Sequence, residues 1–494
     1  MNRASHQEIL SPSRTGVILG AATVMGAALR LHSLSTRSLW IDEAASISFA
    51  SMPWRPFLRT LWDYQGNMAL YYFSLRAWIH LGDTEFVVRS LSVLFAVLTL
   101  PAIYFLGARL FDRATGLTAA ALLSVHSFHV HWSQEARGYS LLTLLLVLAA
   151  YFLVAAMESG EGGYWIAFAV TAALSFYAHI FAVFVLAAFA VSIAIPKPFR
   201  VETRTIALVA ILFEHLAAPM ALFVLVHHAG SQIAWLPRPS PGEVWAFLLL
   251  LTGQGGIGLL AIYLLLVGMA FVRQDEADEW EKEKWAVRLL FLWLVLPPLL
   301  TLAATPVKPL FYARYMVMCV PAIVLLAARG VTRLYKMAAA RPWAPVAALL
   351  LATTLSGWGT YRYFVNLPQE STDWRAAVSY ILQHQQPGDG VVIYRAHALC
   401  YRYYADQSER EHKVAAAPDV LYPSGRPLTR EEISNATAAR GRVWLLLHDE
   451  RDSPNELNVI QSALAESFQP KEKSVFPGEI EINVVLYERL SAGR

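Results

Sequence analysis

The sequence predicts an all-α polytopic membrane bundle of about eleven transmembrane helices, followed by a small C-terminal α/β soluble domain. Of its 494 residues, 56% are hydrophobic and only 16% are charged, whereas soluble domains are about one-quarter charged. Apolar runs recur along the chain until the composition becomes polar after Tyr363. The 15 Trp and 21 Tyr residues are typical of a protein with two interfacial aromatic belts.

The predicted spans follow from the thickness of a bilayer, which about 20 mostly apolar residues can cross. Lys and Arg concentrate in alternate short connections, which favours a cytoplasmic N-terminus and an extracytoplasmic, periplasmic C-terminus. We therefore predict a transmembrane domain at 1–361, with an outer loop at 34–85, and an extracytoplasmic domain at 362–494. The predicted spans centre on 15–33, 86–107, 114–131, 138–157, 163–178, 180–196, 205–226, 255–272, 285–304, 315–329 and 343–361.

In the C-terminal part, strand and helix patterns alternate over about 130 residues, the size of one small domain. Asp373 is the expected cap of an amphipathic helix in DWRAAVSYILQ. GVVIY, RVWLLLHDE and INVVLYERL predict strands, and helices are predicted near 429–439 and 454–467. The pattern predicts a small α/β domain.

Composition and motifs exclude several classes of function. The net charge of +3 is small and the basic residues are spread out, so no nucleic acid is expected as a partner. The two cysteines, Cys319 and Cys400, have no metal-ligand spacing. The chain also lacks a phosphate-binding G-x-x-x-x-G-K-[ST] loop. The charged run at 276–284, EADEWEKEK, is predicted to be a solvated helix face.

The predicted topology assigns polar clusters that are distant in sequence to one face of the membrane. Asp42 and Glu43 follow the first span, in SLWIDEAASI. Ionisable groups at membrane depth are costly, so such clusters mark a function or a buried pair. The other clusters on this face are GNMALYYFSLRAW, HVHWSQEARGYS, FYAHIF and TPVKPLFYARY.

These residue types suit a transfer reaction at the membrane surface. A carboxylate can act as general base towards an attacking hydroxyl, and cations can hold a phosphate, with Arg offering a bidentate fork. Aromatic rings can stack on a sugar or line a lipid groove. This set favours the transfer of a sugar from a lipid-phosphate carrier to a hydroxyl. The candidates are Arg137, Lys308 and Arg314 for the phosphate, His131 and His179 in assisting roles, and Tyr71 and Tyr72 for the sugar or lipid.

At these segments the sequence resembles the bacterial polyprenyl-phosphate-sugar glycosyltransferases. These are relatives of the protein O-mannosyltransferases and of the transferase that adds aminoarabinose to lipid A. The resemblance covers roughly 38–330. It rests on DE after the first span, LYY before the second, SQEARGYSL at the start of the fourth, FYAHIF, and FYARYMVMCVPAIVLLAARG.

The resemblance implies a C-type glycosyltransferase architecture, a polyprenyl-phosphate sugar donor, and inversion at the anomeric carbon. It also implies two amphipathic helices in the first outer loop, with a loop aspartate as base. By position, Asp42 is that base, Glu43 helps to place it, and Glu135 and Arg137 shape the donor pocket. Many relatives have His-Pro-Pro before LYY, where this chain has residues 67–69, Asn-Met-Ala.

We therefore expect a multi-pass enzyme of a bacterial inner membrane. It would transfer mannose or another hexose or pentose to a lipid, protein or polysaccharide. A divalent cation stays open as a cofactor, because the paired carboxylates could hold one. A lipid-linked sugar transporter or flippase without chemistry is the alternative, which inverted repeats or paired broken spans would favour. A non-catalytic relative whose tail recruits partners is a second alternative.

Each candidate residue also has a purely structural interpretation. Asp42 could cap the helix that begins EAASISFA, and Glu135 and Arg137 could form a buried ion pair. Arg314 could extend its charge to the membrane interface, and His179 could be satisfied within the bundle. His126 and His129, three residues apart, could bind a metal.

Overall fold

Helices make up most of the structure, as a bilayer requires, because each lipid-embedded backbone segment must satisfy its own hydrogen bonds. The computed structural model describes residues 11–226, 236–273, 277–337, 343–367, 372–393, 397–414, 416–421, 429–448, 454–478 and 480–490. The chain divides into two compact units. One contains residues up to Leu34 together with Met52–Tyr363, and the other contains Ser35–Ser51 together with the residues from Phe364 onward.

The first unit, which we call the bundle unit, contains most of the helices. Helices are numbered along the whole chain, so that α2 (Ile41–Ser51) belongs to the second unit. The helices of the bundle unit are α1 (Pro12–Leu31), α3 (Trp54–Thr60), α4 (Ala69–Trp78), α5 (Glu85–Leu110), α6 (Arg113–Ser124), α7 (Ser127–Ser133), α8 (Tyr139–Ser159), α9 (Gly162–Ala178), α10 (Ala182–Ala194), α11 (Thr203–Val226), α12 (Pro241–Leu251), α13 (Gly256–Ala270), α14 (Ala277–Ala303), α15 (Val320–Met337) and α16 (Trp343–Asn366).

Six helical segments in the described ranges are long and apolar enough to cross a membrane. A seventh span results if α12 and α13, which are bent by 69°, count as one. The eleven predicted spans are therefore not confirmed. Helix α9 has 17 residues and α10 has 13, and the span predicted at 114–131 is divided between α6 and α7. The six segments are Pro12–Leu31, Glu85–Leu110, Tyr139–Ser159, Thr203–Val226, Trp280–Ala303 and Ala313–Met337.

The bend between α12 and α13 is built from glycines. Gly253 has a φ of +98°, a conformation that glycine adopts without steric cost. Gly359 on α16 packs against it, because a Cβ at residue 359 would lie 2.2 Å from the Gly253 carbonyl oxygen. A broken helix is thus held by close backbone contact with an unbroken one.

A buried ion-pair cluster joins α6, α14 and α15. Arg329, whose side chain is fully buried, contacts Asp112 at 3.1 Å between Nη1 and Oδ2. Arg329 and the buried Arg333 both bind Glu283. Glu283 belongs to the EADEWEKEK run, so the predicted solvated face is wrong at this position. The error arises because helix periodicity does not reveal arginines some fifty residues away.

A second ion-pair group lies at the C-terminal end of α8. Arg109 Nε donates to Glu158 Oε2 at 2.7 Å, and Lys282 also binds Glu158. Arg137 lies beyond the opposite end of α8, which spans about 30 Å at 1.5 Å per residue. The bundle unit therefore carries polar groups at both ends of this helix.

The second unit, which we call the C-terminal unit, contains a five-stranded sheet with the order β2-β1-β3-β5-β4. Strand β1 pairs in parallel with β2 and β3, and β5 pairs antiparallel to β3 and β4. The elements are α2, α17 (Trp374–His384), β1 (Gly390–Ile393), α18 (Ala398–Arg410), β2 (Asp419–Val420), α19 (Arg430–Thr437), β3 (Arg442–His448), α20 (Pro454–Ala465), β4 (Phe468–Phe476) and β5 (Ile482–Arg489).

The three predicted strands are confirmed within the described residues; Tyr394, Asp449 and Glu450, which two of the predictions included, lie outside them. The helices near 429–439 and 454–467 are also confirmed. The predicted cap of α17 is also confirmed, because the Asp373 side chain accepts the backbone N–H of Ala376 at 3.0 Å. Strand β4 was not predicted. Apart from Phe468, its residues are mostly exposed, so the strand lacks the apolar alternation that marks a half-buried strand.

Candidate active site

The turn between α7 and α8 carries Arg137, which contacts Tyr72 of α4 directly and Tyr71 through Ser92 of α5. Arg137 Nη1 donates to the Tyr72 hydroxyl at 3.2 Å. The Ser92 hydroxyl donates to the Arg137 carbonyl oxygen at 3.2 Å, and the Tyr71 and Ser92 hydroxyls are 3.0 Å apart. Three segments that are distant in sequence thus meet at Arg137, whose guanidinium is bonded to Tyr72 and whose backbone carbonyl is bonded to Ser92.

His179 occupies the turn between α9 and α10 and is buried. Its Nδ1 accepts the Phe181 backbone N–H at 3.2 Å, which leaves the proton of the neutral ring on Nε2. Burial, followed by the positive charges of Arg137 and Arg314, lowers the pKa of His179 to about 3. Within the described part of the chain, Nε2 has no hydrogen-bond partner. The turn therefore presents a neutral donor beside two cations.

Aromatic rings surround His179. Its ring centroid lies 5.8 Å from that of Tyr139, 5.3 Å from that of Phe181 and 5.1 Å from that of Tyr315. Such rings exclude water, which strengthens electrostatic interactions within the site.

Arg314 lies in the short 3-10 segment before α15. Its guanidinium carbon is 4.6 Å from the ring centroid of Tyr312, and only 9% of the residue is exposed. A buried guanidinium over an aromatic ring is a cation–π contact. The interpretation of Arg314 as an arginine that extends to the membrane interface is therefore wrong. Lys308 lies in the preceding turn, and its donor-binding role stays a prediction.

Glu135 and His131 adjoin the same aromatic wall. His131 Nε2 is 3.9 Å from Glu135 Oε1. The His131 ring stacks on Trp132 and on Tyr363, each with a centroid distance of 4.7 Å. Trp132 contacts Tyr139 at 5.1 Å, so rings connect His131 to the surroundings of His179.

Asp42 and Glu43 belong to the C-terminal unit. Helix α2 begins at Ile41, so Asp42 lies in its first turn and the interpretation as an N-cap residue is wrong. Negative charge at this end of a helix is favoured by the helix dipole. Glu43 is buried, and its Oε2 accepts the Trp40 backbone N–H at 3.4 Å.

The described residues contain no group of three or more His, Cys, Asp or Glu side chains that could hold a metal ion. His126 Nε2 is 3.2 Å from the Leu251 carbonyl oxygen, and His129 Nδ1 is 2.8 Å from Arg30 Nη2. The metal-binding interpretation of these two histidines therefore does not fit their contacts.

Sequence reasoning did not identify all residues that shape this cluster. Asn67 Oδ1 accepts the Ile180 backbone N–H at 3.0 Å, next to His179. Ser92, Tyr139 and Tyr315 were also not assigned a role. Tyr139 and Tyr315 lie within quoted motifs, so proximity to Arg137 and Arg314 in the sequence was an available signal. Ser92 lies in an apolar helix without such a signal.

Comparisons with known proteins give one family model and several solved structures to which the chain is similar. The family model for dolichyl-phosphate-mannose-protein mannosyltransferase matches residues 67–227. ArnT from Cupriavidus metallidurans in the apo state has a TM-score of 0.59 at 12% identity, over 96% of this chain and 98% of that one. Its structure bound to undecaprenyl phosphate has a TM-score of 0.56 at 13% identity, with the same coverage of both chains.

A third similar structure is that of the archaeal oligosaccharyltransferase AglB from Archaeoglobus fulgidus, in complex with an inhibitory peptide and a dolichol-phosphate. It has a TM-score of 0.52 at 10% identity, over 92% of this chain and 72% of that one. No curated protein sequence matches the chain. These findings confirm the resemblance stated above and establish the fold. The chain is an integral membrane protein, and the orientation of its termini stays a prediction.

Proposed function

We propose that this chain, whose fold is that of lipid-phosphate-sugar glycosyltransferases, transfers a sugar from a polyprenyl-phosphate carrier to an acceptor hydroxyl at the outer face of the membrane. The sugar is mannose or another hexose or pentose. The match at residues 67–227 to a family described by dolichyl-phosphate-mannose supports this substrate class. The undecaprenyl phosphate and dolichol-phosphate bound by the two similar proteins support it further.

The observation that carries the proposal is the set of donors around His179. Arg137 and Arg314 are close enough to lower its pKa, and its neutral Nε2–H is buried without a hydrogen-bond partner in the described ranges. Two guanidiniums and a neutral N–H suit the oxygens of a phosphate, because all three donate. The tyrosine rings nearby suit the sugar or the first carbons of the lipid.

In the proposed reaction, Asp42 is the base and Glu43 helps to place it. The acceptor hydroxyl gives its proton to the Asp42 carboxylate, and its oxygen bonds to the anomeric carbon from the side opposite the phosphate. The bond between that carbon and the phosphate oxygen breaks, and the electron pair leaves with polyprenyl phosphate. A single displacement of this kind inverts the anomeric configuration. Arg137, with Arg314, Lys308 and His179, stabilises the leaving phosphate.

The test is turnover of the purified full-length protein in lipid nanodiscs with a polyprenyl-phosphate sugar. We expect Asp42→Asn to lower the rate of polyprenyl phosphate release by about 100-fold or more, with donor affinity unchanged. Asp63→Asn, in the same outer loop, is the matched control and should retain activity. Normal turnover of Asp42→Asn would remove this residue as the base. Absence of transfer from every such donor with wild-type protein would refute the function.

The bend between α12 and α13 is one feature that favours the alternative of a flippase, because transporters use broken helices. A flippase would move the lipid-linked sugar across proteoliposomes without releasing free polyprenyl phosphate. Release of the carrier in step with sugar transfer distinguishes the two functions.

The acceptor class is identified by comparing cell-envelope glycans, glycolipids and glycoproteins of a deletion strain with those of its parent by mass spectrometry. Loss of one hexose or pentose from a lipid, a protein or a polysaccharide would name both the sugar and the acceptor.

A further inference from the structure

The segment that carries Asp42 is built into the C-terminal unit. Residues 35–51 cluster with the chain from Phe364 onward, although more than three hundred residues separate them in the sequence. Arg375 Nη2 on α17 donates to the Ser35 carbonyl oxygen at 3.0 Å. The helix α2 is thus held by parts of the chain that lie after the last helix of the bundle unit.

Ser38 and Leu39, three and two residues before the start of α2, are anchored by hydrogen bonds. The backbone N–H of Leu39 donates to the Tyr404 hydroxyl at 2.7 Å, and both residues are buried. The Ser38 hydroxyl donates to the Thr372 carbonyl oxygen at 2.6 Å and accepts the Trp374 backbone N–H at 3.1 Å. A buried backbone N–H that loses its partner is costly, so these bonds fix the chain three to four residues before Asp42.

The same face of α18 contacts the surroundings of the acidic pair. Cys400 lies one helical turn before Tyr404, so the two side chains share a face. Burial, followed by the negative charges of Glu43 and Asp42, raises the pKa of the buried Cys400 thiol. The thiol stays uncharged and therefore adds no third negative charge beside the two carboxylates.

We infer that Tyr404 and Ser38 are positioning residues, through which the C-terminal unit fixes the start of α2 and thereby the carboxylate of Asp42. The effect on catalysis rests on the proposed function. Tyr404 and Ser38 do not touch the substrate themselves, and they act by holding α2 in place. Catalytic geometry is sensitive to small displacements, since a shift of about 1 Å can cost about 100-fold in rate. The C-terminal unit is then part of the catalytic apparatus.

The test compares full-length variants in nanodiscs. Tyr404→Phe and Ser38→Ala each remove a hydroxyl, and Ser38→Thr restores one. Tyr401→Phe is the matched control, because its hydroxyl lies on the same helix and donates to the Pro418 carbonyl oxygen at 3.0 Å, within the C-terminal unit and away from α2. Two readouts are taken, namely the kinetics of transfer and the hydrogen exchange of the amides of residues 39–51.

We expect Tyr404→Phe and Ser38→Ala to lower kcat by about ten-fold with an unchanged KM for the donor, and to speed exchange at 39–51. Ser38→Thr should restore both values, and Tyr401→Phe should leave both near wild type. Unchanged exchange in both variants overturns the inference whatever the activity. Faster exchange with normal kcat, or an equal loss of kcat in Tyr401→Phe, overturns the positioning role. If the wild-type protein transfers no sugar, the proposed function has failed, and hydrogen exchange alone decides whether these hydroxyls hold α2.

Discussion

The Asn67 side chain is hydrogen-bonded to the backbone of Ile180, with 3.0 Å between Oδ1 and the amide nitrogen. This contact joins the segment before α4 to the turn that carries His179. The turn cannot move without breaking the bond, so the orientation of the His179 ring depends in part on a side chain more than a hundred residues earlier.

We predict that Asn67→Ala raises the KM for the lipid-linked donor several-fold and changes kcat less. The physical reason is that a backbone N–H loses its acceptor, a loss of about 1 kcal/mol that loosens the turn. Steady-state kinetics of the variant measure this, with Gln65→Ala in the same loop as control. Equal KM values for Asn67→Ala and wild type would show that the turn is held without this bond.

His179 is predicted to stay neutral throughout the pH range of activity, because its pKa is lowered to about 3. The unfolded chain takes up a proton on this imidazole near its ordinary pKa of 6.5. The folded state does not, so the contribution of His179 to stability is complete above that value and declines as the pH falls towards 3. Thermal unfolding of wild type and His179→Gln at pH 8 and pH 5 measures it.

The expected result is a smaller loss of Tm between pH 8 and pH 5 in His179→Gln than in wild type. The same loss in both proteins would mean that the imidazole titrates normally in the folded state.

Binding of a polyprenyl-phosphate sugar should weaken in His179→Ala and be partly retained in His179→Gln, because the Gln amide still donates.

Glu283→Gln is predicted to destabilise the bundle unit strongly. The carboxylate binds Arg329 and Arg333, which are both buried, and removing one partner of a buried pair costs about 3 kcal/mol or more. Glu281→Gln is the matched control, since Glu281 is exposed and pairs with Lys284 three residues later. Thermal unfolding of the detergent-solubilised protein should show a large fall in Tm for Glu283→Gln and almost none for Glu281→Gln. Similar Tm values for the two variants would refute the buried cluster as a source of stability.

Gly359→Ala should disturb the contact between α16 and the α12–α13 bend. Its Cβ would meet the Gly253 carbonyl oxygen at 2.2 Å, whereas a Cβ at Gly357 would meet nothing within 4 Å. Alanine stabilises a helix by up to about 1 kcal/mol over glycine, so Gly357→Ala should raise the Tm slightly while Gly359→Ala lowers it. A rise in both variants would indicate that the bend can move away.

Much of the fold follows from local sequence patterns. The strands β1, β3 and β5 and the cap Asp373 are encoded by short-range apolar and capping patterns, and their predictions are confirmed. The eleven predicted spans are not confirmed, because apolar content alone does not distinguish a short helix such as α10, or a run divided between α6 and α7, from a helix long enough to span a membrane. Length in the folded state depends on where a turn interrupts the helix.

The candidate site is only partly readable from the sequence. Arg137, His179 and Arg314 stand out as polar groups within apolar surroundings, and the structure brings them close enough to interact electrostatically. Asn67 and Ser92 each bond to a backbone atom that is distant in sequence, a contact that no local pattern reveals. Local sequence patterns also do not predict that residues 35–51 pack with the rest of the C-terminal unit, because this packing depends on residues more than three hundred positions away. The roles of all these residues stay predictions.

The discontinuous make-up of the C-terminal unit has a consequence for biosynthesis. The segment 35–51 leaves the ribosome early, whereas Thr372, Trp374 and Tyr404, which anchor it, are translated only after all the helices of the bundle unit. A nascent chain therefore holds α2 without these partners until residue 404 has been translated. Fragments that stop near residue 363 should therefore carry this helix without the hydrogen bonds from Thr372, Trp374 and Tyr404.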